Sequence, residues 1–300
     1  MLNRRVAVPV GCPRIEYQTH LYYVLSQVQS VFKVTVQLGH VADWSGSIHD
    51  DSSAQNYGYR AALVPGPSLH GYLTRPVVER WGEEWLEHGT MSSHCRRPAY
   101  DRQELTITAT MDPGDARRMS VVATDAQGHV VAQGDATLPV DRPAVPDVAA
   151  FTSIAFQQPL PVVAAGSIPI QLRFMSKNEA FTEKDNQDYL ELLADTWPVY
   201  RQKGLVHASY AMRLATHNGT RSFVSPTPGI YVTGWTQHLN IAHVGDRLRT
   251  AGWVTNSFER KGNQFYETEE MVFANDTTPI AHIRRSVIYA IRPKSAVVAA

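Results

Sequence analysis

His49 ends the hexapeptide Trp44-Ser-Gly-Ser-Ile-His49, is followed by Asp50-Asp51, and precedes Leu69-His70-Gly71 by some twenty residues. An imidazole with a near-neutral pKa is the side chain best suited to moving a proton at physiological pH. A glycine at a helix opening offers a backbone N–H that an acyl oxygen can approach closely, where the helix dipole favours negative charge. His49 is therefore a candidate for proton transfer and Gly71 a candidate backbone donor. Asp43 and Asp51 flank His49, and Asp195 is a carboxylate that the second half could contribute. His70, Tyr72 and Tyr59 complete the candidate substrate-binding set. The plainer roles for the same polar residues are capping: His70 of the helix, and Asp43, Asp51 and Asp195 of loops.

The elements that must hold these residues follow from periodicity. Leu73, Val77, Trp81 and Trp85 lie four apart, which gives one apolar stripe on a helix opening near Gly71. Pro76 is then acceptable as part of the first turn. Strand-like runs follow at 104–111, 119–123 and 129–138, the last two joined by Asp125-Ala-Gln-Gly128, a hairpin turn. Six prolines between Leu138 and Pro169 mark a crossing linker. Beyond it come a short helical piece at 188–194, a longer helix from His207 to Phe223, and strands at 229–239, 247–258, 265–274 and 280–291. One helix followed by antiparallel strands, twice, is an α+β duplication. Its expected parts are 1–145, a linker at 146–168, and a degenerate copy at 169–300.

Composition narrows the function. Lys+Arg and Asp+Glu are each 28, so nothing points to nucleic acid or an anionic membrane surface. No apolar run reaches the length of a membrane span. Cys12 and Cys95 form no metal or disulfide motif, and cytoplasm is the expected compartment. The histidines lack ligand spacing, and GxGxxG, Walker A and GxSxG are absent, so neither a metal nor a cofactor is expected.

These residues and this duplication resemble the MaoC-like branch of the double hotdog proteins, the (R)-specific enoyl-thioester hydratases and dehydratases. The family pattern is Gly-Asp-x-Asn-Pro-Ile-His-x-Asp, then a His-Gly that opens the central helix; His49, Asp51, His70 and Gly71 fall on it. The resemblance implies hydration or dehydration of an acyl thioester on coenzyme A or a carrier protein, with His49 in proton transfer and the Gly71 N–H on the thioester carbonyl. The basic pairs Arg96-Arg97, Arg260-Lys261 and Arg284-Arg285 would suit the phosphates of such a carrier. Two departures stand out. The family's aspartate place holds Trp44, with Asp43 one residue further back; in the second half Asp195 keeps its place but Tyr200 takes that of the histidine. A site shared between His49 and Asp195 is one resolution. A non-catalytic acyl-binding partner and a thioesterase are the other functions the fold family would allow, and edge-to-edge pairing of sheets makes a homodimer an expectation.

Overall fold

The computed structural model describes residues 28–39 and 46–292, so Asp43 and Trp44 lie outside the described residues. In the first half the elements are β1 (Val28–Thr35), α1 (Asp51–Asn56), α2 (Gly66–His88), β2 (Thr90–Cys95), β3 (Glu104–Asp112), β4 (Asp115–Thr124) and β5 (Val130–Thr137). The second half has the two-residue β6 (Glu179–Ala180), α3 (Glu183–Leu192), α4 (Pro198–Gln202), α5 (Tyr210–Thr220), β7 (Ile230–His238), β8 (Arg247–Arg260), β9 (Asn263–Ala274) and β10 (Thr278–Ala290).

The strands form one antiparallel sheet in the order β1-β3-β4-β5-β2-β7-β10-β9-β8-β6. Strict alternation explains the inner face. Leu105, Ile107 and Ala109 of β3 point inward, while Thr106, Thr108 and Thr110 are only partly covered. Each half of the sheet curls round one helix. Leu69, Leu73, Val77 and Trp85 of α2 pack with Leu105, Ile107 and Val121. Met212 and Ala215 of α5 pack with Leu248, Val272 and Ile283. The halves join where β2 pairs with β7, from Thr90↔Gln237 to His94↔Thr233. The proline-rich crossing segment is not a bare tether: Val163, Ile168 and Phe174 are buried with Val254, Tyr266 and Val287.

Three expectations need correction. The central helix opens at Gly66, not near Gly71, because Pro65 is its N-cap and the amides of Ser68 and Leu69 both donate to the Pro65 carbonyl. Proline's fixed φ suits the first turn. Pro76 consequently lies inside the helix, and the chain kinks further on at Gly82 (φ 61°, ψ −144°). The second helix is shorter than expected, since His207 to Ser209 form the turn that precedes α5.

Candidate active site

The loop carrying His49 is pinned from several sides. The His49 N–H donates to Ser47 Oγ at 3.1 Å, and the Leu63 N–H donates to the Ile48 carbonyl at 3.1 Å. His49 Nδ1 lies 2.7 Å from the Leu63 carbonyl oxygen, which can only accept, so Nδ1 carries the proton. In the neutral ring Nε2 is then the basic nitrogen. Burial pushes the His49 pKa down to about 4 against the opposing pull of the Leu63 bond, so the ring is neutral at physiological pH.

The two aspartates beside it have other work. Asp50 caps α1 by accepting from Ser53 N, and Asp51 Oδ1 accepts from the Ala62 N–H at 2.7 Å, holding the chain's return towards α2. Asp51 is thus placed as a loop brace.

His49 lines a cavity of about 430 Å³, walled also by Tyr59, Leu63, Gly66, Leu69 and Tyr231. Among the described residues no aspartate or glutamate lines it. Gly66, which lines it, opens α2, and its N–H has no acceptor among the described residues. A side chain at Gly66 would put its Cβ 2.3 Å from Tyr231 Cδ1, so only glycine fits there.

The other expected site residues lie elsewhere. Gly71 is more than a turn inside α2, where its missing Cβ leaves room for Ser209 Oγ (2.7 Å) and Leu193 Cδ1 (2.8 Å) of the second half. Tyr72 points the same way: its hydroxyl donates to the Leu192 carbonyl at 2.9 Å and accepts from the Gln37 N–H at 3.1 Å. His70 is buried with Nδ1 2.9 Å from Ser93 Oγ, which in turn lies 2.7 Å from the Tyr231 hydroxyl. Burial, with the nearby His238 and His207, lowers the His70 pKa to about 3. Asp195 is not near His49. Its Oδ2 is 3.1 Å from His207 Nε2, and Oδ1 accepts from the Trp197 N–H. Burial pushes the Asp195 pKa up, but the His207 and Trp197 bonds outweigh it and hold the carboxyl below the ordinary range. Of the basic pairs, Arg284 and Arg285 face Glu269 and Glu270 within the fold. Only Arg96 and Arg97 reach the cavity.

No family model matches the chain, and no curated protein matches it. Solved structures do. One is a conserved protein of Mycobacterium tuberculosis described as having a double hotdog fold, with a TM-score of 0.58 and 15% identity over 87% of this chain and 96% of that one. The fold is a double hotdog. Two MaoC-like dehydratases are also among its structural neighbours. The first, a MaoC domain protein dehydratase from Chloroflexus aurantiacus, has a TM-score of 0.57 and 14% identity over 88% of this chain and 94% of that one. The second, a MaoC-like dehydratase, has a TM-score of 0.58 and 13% identity over 89% and 100%.

Cavities lie at the start of both central helices. The one at the start of α2 is the 430 Å³ cavity, completed by Arg213, Thr216 and His217 of α5. The one at the start of α5 measures about 30 Å³, between His207, Ala211, His238 and Leu86. There Trp85 packs edge-on to His238, with centroids 4.6 Å apart. The Asp195–His207 pair therefore sits beside space for no more than a water molecule. Gly66, Arg213 and His217 were missed by sequence reasoning. Pro-Gly-Pro read as loop, and nothing local to α5 reveals that it borders the other half's cavity.

Proposed function

We propose that the chain is a hydro-lyase acting on the 2,3-bond of an acyl thioester, with His49 in the open cavity as its proton-transfer residue. The observation that carries this reading is the position of a neutral, tautomer-fixed His49 in the same largely apolar cavity as Gly66, whose amide has no acceptor among the described residues. The likeness in fold to MaoC-like dehydratases agrees with it.

The chemistry follows from those two groups. An enoyl thioester enters with its carbonyl oxygen against the Gly66 N–H, where the helix dipole stabilises the charge that develops. His49 Nε2 takes a proton from water, and the resulting hydroxide adds to C3. Electrons move through C2 to the thioester oxygen. The imidazolium then returns its proton to C2, the enolate collapses, and His49 is neutral again. Water is consumed and nothing else is needed. Dehydration is the reverse. In this scheme one histidine performs both transfers. Tyr59, in the same wall, shapes the acyl channel.

The test is the loss of enoyl absorbance from crotonyl and longer enoyl thioesters, measured with the wild-type chain and with His49→Gln. Turnover by wild type alone supports the reading. Equal turnover by both sinks the assignment to His49, and release of free thiol instead means thioester hydrolysis. A wild-type chain that binds acyl thioesters without turning them over would be a binding partner.

A further inference from the structure

The second half walls the first half's cavity with α5. What it brings there is positive charge. Arg213, His217 and Arg221 recur every four residues along α5 and its C-cap, and all three line the cavity together with Arg96 and Arg97. Burial, with the neighbouring Arg221 and Arg213, pushes the His217 pKa down to about 4, so that ring is neutral and the charge on this face belongs to the two arginines. A chain with equal numbers of acidic and basic residues could intersperse both signs here, but it does not. None of the four guanidinium groups is paired with a carboxylate among the described residues. Arg213 lies over the Tyr189 ring, 5.2 Å from its centroid, a contact that steadies the side chain without neutralising it. The backbone amides of Arg96 and Arg97 both donate to the Val131 carbonyl, at 2.8 and 3.1 Å, which fixes where those side chains start.

Unpaired arginines bordering an apolar cavity match one ligand chemistry: an apolar chain joined to a cluster of phosphates, each phosphate able to take a guanidinium fork. We propose that the second half is the anion anchor of the first half's site, with Arg213 and Arg221 acting alongside Arg96 and Arg97. Such an anchor selects an acyl group carried on free coenzyme A, with its several phosphates, over one tethered by the single phosphate of a carrier-protein arm. This rests on the acyl-thioester reading of the cavity.

The experiment is calorimetric titration of the full chain with coenzyme A, with its 3′-dephospho form and with pantetheine, at low and high salt. Coenzyme A is expected to bind, and loss of the 3′-phosphate to weaken it by roughly tenfold or more. Pantetheine should give no measurable heat, and salt should weaken coenzyme A binding. Arg213→Gln with Arg221→Gln should weaken coenzyme A by roughly a hundredfold, and Arg221→Gln alone by about tenfold. Arg221 is exposed at the helix end, so its single variant tests the idea without endangering the fold. Pantetheine binding as tightly as coenzyme A would overturn the proposal. So would wild-type affinity in the folded Arg221→Gln chain, or binding only of a phosphopantetheine-bearing protein. Binding needs no turnover: a chain that holds coenzyme A through α5 but leaves enoyl thioesters intact removes the hydro-lyase reading and keeps this one.

Discussion

Loop histidines are common, and what sets His49 apart is the bond that fixes its tautomer. Replacing it by Gln should lower kcat by roughly 10²- to 10⁴-fold, the range of a lost general acid–base, with little change in denaturation midpoint. The pH profile gives a sharper check. His49 is the base only when neutral, and its pKa is about 4. The kcat/KM value should therefore be level above about pH 5 and fall tenfold per unit on the acid side of about pH 4; a limb centred near 6.5 would mean that the base is another group. Gly66 supports a second prediction. Gly66→Ala drives a methyl into Tyr231, which should cost about 1–3 kcal/mol in urea denaturation and lower kcat by moving the amide. At this scale the sequence showed His49 through its spacing to His-Gly. It did not show which glycine opens the helix, because the choice between Gly66 and Gly71 turns on where a proline-flanked helix begins.

Among the elements, the strands of the second half were legible because alternation and turn residues mark them. β2 was not: its inward positions include Ser93 as well as Met91, so Thr90-Met-Ser-Ser-His-Cys95 lacks an apolar period. Two doublets in the sequence acquire meaning only from the sheet. Glu269-Glu270 on β9 and Arg284-Arg285 on β10 each send one member to either face. Glu269 and Arg284 pair on the more open face, with nitrogen and oxygen 3.5 Å apart. Arg285 Nε donates to Glu270 Oε1 at 2.7 Å beneath α5, and the same oxygen accepts from Thr268 Oγ1. Burial raises the Glu270 pKa, and the Arg285 charge opposes that rise. Arg285 also reaches the Ala215 carbonyl of α5. Arg285→Met alone should strand a buried carboxylate and cost about 3–5 kcal/mol, whereas Arg285→Met with Glu270→Leu should recover most of it. Chemical denaturation of both variants decides the matter. Equal losses in the two would mean that the arginine's packing, not the stranded charge, sets the cost.

For the whole molecule, the seam between the halves carries buried histidines that no charge rescues. His70 and His238 each have Nε2 buried without a hydrogen-bond partner among the described residues, and burial is the main cause that lowers both pKa values to about 3. An unfolded histidine titrates near 6.5. Between about pH 6.5 and 3 the unfolded chain therefore binds protons that the native rings refuse, so stability is fully present above 6.5 and drains away as pH falls. Asp195 acts in the same direction, but only below the ordinary carboxylate range, because its folded pKa is depressed from 3.8. From pH 6.5 to 5 each ring should cost about 1.5 kcal/mol, which follows from about 1.4 kcal/mol per unit once titration is complete. Urea midpoints of the wild-type chain should fall across that interval. His238→Phe keeps an aromatic ring against Trp85 but cannot be protonated, so its midpoint should fall less, by about one ring's share. An unchanged slope in that variant would mean that His238 is reached by water or proton in the native state, and that the contact between the two hotdogs is looser than its packing indicates.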